Sequence, residues 1–153
     1  MTLPERVGLR SKDAPGMKSA LIIVADPAVR LRLLRILGRH GWWVDAVESV
    51  ECALPFLDKA PRDVALIDWQ IGSGSGISLL MAMKLHPTWQ SIPMVMMHGG
   101  ATLAEIERAC EVGANDFLTH PFTGDAALRK LDLWVLDKAG LAERERWAAR
   151  IFT

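Results

Sequence analysis

The amino-acid sequence predicts an α/β domain of the doubly wound type, a five-stranded parallel sheet with helices on both faces. Three observations carry that prediction. Short apolar, β-branched runs alternate five times with segments of helical periodicity. Several of these runs are apolar along their whole length rather than at every second residue, as strands buried on both sides are. The chain has 153 residues, 50% of them hydrophobic and 24% charged, which suits one hydrophobic core.

Residues 1–17 contain Pro4, Gly8, Pro15 and Gly16 among mixed charges and show no periodicity, so they read as a flexible N-terminal arm. The domain proper is expected over residues 18–139. Its first strand falls at residues 21–24. A helix follows at once, with Asp26 as N-cap, Pro27 in the first turn, Val29, Leu33, Ile36 and Leu37 on one stripe, and Gly41 as the stop. The second strand is expected at 43–47 and the second helix at 50–59, distorted by Pro55 because proline has no N–H to donate. A third strand at 64–67 leads through the string Gly72-Ser-Gly-Ser-Gly76, read as a mobile loop, into a helix at 77–85. The fourth strand is placed at 93–97, and the helix at 103–112 is closed by Gly113. After a fifth strand at 116–119, Thr123 caps a helix running to about residue 139. Gly140 then separates a C-terminal helical extension, residues 140–153. There Leu141, Trp147, Ala148 and Ile151 stand among charged side chains, a pattern that packs on the same domain or on a partner, a homodimer mate included.

Charge and cysteine content narrow the function classes. Eighteen basic residues balance eighteen acidic ones, so no global field recruits nucleic acid or an anionic membrane. The two cysteines, Cys52 and Cys110, lack metal-ligand or redox spacing, which excludes a disulfide scaffold and a structural zinc module; both are expected to be small buried residues. The first residues lack the apolar centre of a signal peptide, and the longest uncharged run is broken by Pro87, Pro93 and Gly99-Gly100. A cytoplasmic protein with no membrane span is expected.

Doubly wound sheets place their sites at the carboxyl ends of the strands, where strand order reverses; in the five-stranded order 2-1-3-4-5 that point lies between the first and third strands. Asp26 and Asp68 fall at those two ends.

At this point the chain resembles the response-regulator receiver domain, the CheY-like family with the flavodoxin-type order, from about residue 18 to 138. Val64-Ala-Leu-Ile-Asp68 resembles the third strand ending in the phosphoacceptor aspartate, and Gly76 stands eight residues later, where the family keeps a glycine. The run 93–97 resembles the fourth strand, and Gly113-Ala-Asn-Asp-Phe-Leu-Thr-His-Pro121-Phe122 resembles the fifth strand and its turn, where the family has a lysine and then a cis-proline. The resemblance implies that Asp68 attacks a phosphohistidine to form an acyl phosphate. It also implies a magnesium ion held by acidic side chains after the first strand, by the acceptor and by the backbone carbonyl two residues on; the available positions are Asp26, Asp68 and Gln70. A hydroxyl ending the fourth strand and a lysine ending the fifth contact the phosphoryl oxygens in the family and shift a two-state surface.

The chain departs from the family at each of these supports. An ungapped match sets Val24 and Ala25 where the acidic pair belongs, His98 at the hydroxyl position, His120 at the lysine position and Phe117 at the aromatic switch position. The resulting expectation is a single-domain receiver with Asp68 as phosphoacceptor, His98 and His120 beside it, and weak Mg2+. Its partners would be a sensor histidine kinase or phosphotransfer protein and a downstream protein effector, and it would not be an enzyme in the ordinary sense. Two alternatives stay open: a phosphorylation-independent interaction scaffold, and a metal- or nucleotide-binding module. In the latter, Asp68, His98 and His120 would form a two-histidine, one-carboxylate cluster. Asp26 reads equally as a helix cap, the histidines as fillers of the space, and Trp69 as a ring overhanging the site.

Overall fold

The computed structural model of the chain describes residues 5–7 and 16–135. Strand β2 (Ser19–Ile23) is buried along its whole length because both sheet faces are covered: Ala20 and Ile22 enter one core, Leu21 and Ile23 the other. Helix α1 (Pro27–Arg39) starts where expected. Asp26 Oδ1 accepts the N–H of Ala28 at 2.8 Å and of Val29 at 3.4 Å, and Pro27 sits in the first turn. Its buried stripe is Arg30, Leu33, Leu34 and Leu37, shifted from the expected stripe and with an arginine in it. Gly41, at φ +81°, lies in the left-handed region that turns the chain after the helix.

Strand β3 (Trp43–Val47) follows, then a short α2 (Val50–Ala53) capped by the Ser49 side chain. The helix tightens into a 3₁₀ segment over Leu54–Asp58, where Pro55 cannot donate to the preceding turn. Strand β4 (Val64–Asp68) ends on Asp68. The glycine-serine string is not the loose loop expected. Gln70–Ile71 (β5) and Gly74–Ser75 (β6) pair as a tight hairpin across Gly72, which has φ +61°, and Ile71 is buried. Ser75 then caps α3 (Gly76–Leu85). Strand β7 (Met94–His98) precedes α4 (Leu103–Val112), whose Thr102 and Glu105 form a reciprocal capping box and whose end is Gly113. Strand β8 (Asp116–Thr119) leads to α5 (Gly124–Val135).

The sheet order is β1-β3-β2-β4-β7-β8, and every pair from β3 to β8 is parallel. Its five parallel strands have the order 2-1-3-4-5. The sixth is a correction to the reading of the N-terminal arm: Glu5–Val7 forms β1, antiparallel to β3. Tertiary ion pairs hold it there. Arg6 Nε lies 2.6 Å from Asp45 Oδ1, and Glu5 pairs with Arg30. Helices α1 and α5 cover one face, and the 50–58 segment with α3 covers the other. Cys52 is buried but Cys110 is exposed, contrary to expectation, because it falls on the solvent side of α4, whose buried residue is Ala109. No helix among the described residues is long and apolar enough to cross a membrane. The extension over 140–153 and the end of the last helix, beyond Val135, lie outside the described residues.

Candidate functional site

The site is built at the carboxyl ends of β2, β4, β7 and β8. Parallel pairing sets Asp68 beside Met97, and His98 beside Thr119. The Asp68 carboxylate is partly buried, and the Trp69 N–H beside it donates to the Met97 carbonyl at 2.8 Å, tying the end of β4 to β7. Burial, the largest influence, pushes this carboxyl above the usual carboxylate range. The nearby Gln70 and Trp69 backbone amides and the charge of His120 pull it back, Asp26 pushes it further up, and the upward effects prevail.

Gly76 explains itself at this point. A Cβ there would stand 2.0 Å from the Asp68 carbonyl oxygen, so only glycine lets the start of α3 close onto the end of β4. That closure also makes a hydrogen bond from Gly76 N–H to the Trp69 carbonyl at 2.9 Å.

The residues expected around Asp68 separate into two groups. His120 and Asp26 act on it electrostatically. His120 lies in a cis His120–Pro121 turn, with its ring 5.8 Å from that of Phe122. His98 is engaged elsewhere. Its Nδ1 accepts the N–H of Gly100 and Ala101, and its ring packs edge-on against Trp69 and Phe117 at 6.0 and 6.1 Å. Trp69 therefore lies among those rings. No grouping of three or more His, Cys, Asp and Glu side chains fit to hold a metal exists among the described residues. The two-histidine, one-carboxylate arrangement thus does not form, because His98 is drawn into its own turn.

One residue of the site escaped the sequence reading. Arg30 is almost fully buried, and its Nη1 donates to the carbonyls of Val24 (2.9 Å) and Ala25 (3.1 Å). Its other terminal nitrogen reaches Glu5 of β1 at 3.3 Å. The guanidinium thus ties together the end of β2, the helix after it and the edge strand. The signal was present: Arg30, Leu33, Leu34 and Leu37 have i, i+3, i+4, i+7 spacing, which places a cation on the buried stripe.

Residues 20–132 match the family model of the response regulator receiver domain. The chain belongs to this family. Among curated relatives it is 29% identical over 108 residues to the phosphate regulon transcriptional regulatory protein PhoB of Escherichia coli K12. That match covers 70% of this chain and 47% of PhoB, so the chain spans about half the length of that relative. It is 26% identical over 114 residues to the chemotaxis protein CheY of Pseudomonas aeruginosa, covering 73% of this chain and 92% of CheY. The chemotaxis response regulator CheY4 of Vibrio cholerae shares the fold, with a TM-score of 0.73 at 21% identity over 78% of this chain and 99% of that one.

Receiver domains typically hold Mg2+ in the phosphorylation site. The donors here do not fit a tightly held ion. Val24 is a fully buried hydrocarbon, and Ala25 offers no side-chain oxygen. Asp26 has one carboxylate oxygen, Oδ1, engaged with the first turn of α1, so an ion that needs near-octahedral oxygen ligation has only Asp68, the other oxygen of Asp26 and backbone carbonyls to draw on.

Proposed function

We propose that this receiver domain works in a two-component or phosphorelay pathway with Asp68 at the phosphoacceptor position and with degenerate magnesium and phosphate contacts around it. The observation that supports this reading is the placement of Asp68. It ends the third parallel strand at the point where strand order reverses, partly buried and within electrostatic reach of His120 and Asp26. In the proposed step a carboxylate oxygen of Asp68 attacks the phosphorus of a phosphohistidine, the P–N bond breaks, and the imidazole leaves with its electron pair. The upstream partner would be a sensor histidine kinase or phosphotransfer protein, and the downstream one a protein effector. The domain would act by contact rather than by turning over a substrate.

Slow transfer follows from the chemistry. Two positions that would neutralise the incoming phosphoryl charge carry Val24 and Ala25 instead of carboxylates. The same features favour a second reading, an interaction module that operates without phosphorylation.

Intact-mass analysis after incubation with acetyl phosphate and Mg2+ decides between them. The first reading expects a slow, substoichiometric adduct of one phosphoryl group that Asp68→Ala abolishes. No adduct at all leaves the second reading. Prompt stoichiometric labelling overturns the degenerate site, and an adduct that persists in Asp68→Ala overturns Asp68 as acceptor.

A further inference from the structure

Gly99, Gly100 and Ala101 separate the end of β7 from Thr102, the N-cap of α4. Two glycines in three residues give this connection little conformational preference of its own. One side chain holds it. His98 Nδ1 accepts the N–H of Gly100 at 3.3 Å and that of Ala101 at 3.1 Å. Both partners are backbone donors, so Nδ1 is the ring nitrogen without a proton. A side chain accepting from the amides two and three residues on is the arrangement that Asn, Asp, Ser and Thr make in turns, here made by an imidazole.

The same ring also joins neighbouring strands. Its centroid is 6.0 Å from that of Trp69, with an interplanar angle of 72°, and 6.1 Å from that of Phe117, at 73°. The Trp69 and Phe117 rings are 6.5 Å apart. Trp69 follows Asp68 at the end of β4, and Phe117 lies in β8, so three rings close a triangle over adjacent strands. Edge-to-face contacts at such distances are attractive beyond the area they bury.

We propose that His98 is a positioning residue: a latch that ties the β7–α4 connection to the ends of β4 and β8 and keeps α4 and β8 in one arrangement whatever the state of Asp68. Nδ1 is already an acceptor for two amides, and Phe117 has no hydroxyl to relay a change. Drawing the imidazole toward a group on Asp68 would break both amide bonds and two ring contacts. The inference stands without Asp68 being an acceptor, so the labelling experiment can fail while this one holds.

Amide hydrogen exchange of the full chain, followed by NMR, tests it on Gly100 and Ala101. Both amides should be protected in the wild type, with protection unchanged in Asp68→Ala. His98→Asn should retain it, because an Asn oxygen can accept the same two N–H groups, while the Trp69 ring resonances move. His98→Phe should retain the ring contacts and lose the protection by about fivefold, the worth of a typical net hydrogen bond. Unprotected amides in the wild type, loss of protection in Asp68→Ala, or full protection in His98→Phe would each overturn the latch.

Discussion

Gly76→Ala tests the packing that positions the end of β4. The new Cβ would stand 2.0 Å from the Asp68 carbonyl oxygen and 3.0 Å from both the Asp68 carbonyl carbon and the Trp69 oxygen, whereas ordinary contact begins at 3.4 Å. The obstacle is backbone, held in the sheet by the β4–β7 ladder, so it cannot rotate away as a side chain could. Relief requires α3 and β4 to separate by about an ångström, which breaks the Gly76–Trp69 hydrogen bond. Overpacking of this kind costs about 3 kcal/mol. Alanine's better helix propensity returns at most about 1 kcal/mol, and less at a first helical residue. The net loss of about 2 kcal/mol corresponds to a fall of roughly 7 °C in Tm for a chain of this size. Urea and thermal unfolding measure it. Gly99→Ala is the control, since its Cβ meets the His120 carbonyl oxygen at 3.4 Å and nothing closer. Equal stability of Gly76→Ala and wild type would refute the reasoning, because it would mean that the two segments do not approach as described.

Three further outcomes follow from the charged groups. Asp68→Asn should raise Tm at neutral pH. Burial raises the folded-state value of Asp68 above its unfolded one, so the native state loses stability as pH climbs through that raised value, and the advantage of Asn should vanish in acid where both side chains are neutral. Asp45 is the opposite case. Burial alone would raise it, but the hydrogen bonds and charges of Arg6 and Arg62 prevail and hold it below the usual range. Asp45→Asn should therefore cost about 3 kcal/mol in neutral urea denaturation by leaving the buried Arg62 without its anion, and the gap should narrow below about pH 4 as the wild-type carboxylate protonates. Arg30→Met should cost about 2 kcal/mol, because the Val24 and Ala25 carbonyls lose their donor, and should speed amide exchange in β1 once Glu5 has lost its cation.

Local features of the sequence predicted the parallel strands and most helix boundaries well. Asp26-Pro27, Gly41 and Gly113 each act within a turn of where they stand, so their meaning can be read locally. The run 64–68 could be recognised because a strand buried on both faces carries no polar residue until its end. What escaped depends on distant partners. Three residues of β1 show no periodicity, and what places them is Arg6 with Asp45, 39 residues away, and Glu5 with Arg30, 25 residues away. The hairpin at 70–75 was hidden because its strands are two residues each, too short for alternation to register. At the site, chain order places Asp26, Asp68 and His120 at the carboxyl ends of β2, β4 and β8, and Asp26 and His120 act electrostatically on Asp68. It could not show that His98 turns toward Gly100 and Ala101, because that choice depends on the rotamer and on the Trp69 and Phe117 rings.

Calorimetric titration with Mg2+, run on the wild type and on Ala25→Asp, tests most directly whether the missing oxygen donors define this receiver. The wild type should show no saturable binding at millimolar Mg2+, and the added carboxylate should create binding that Asp68→Ala removes. Saturable wild-type binding at millimolar Mg2+ or below, lost in Asp68→Ala, would contradict the account.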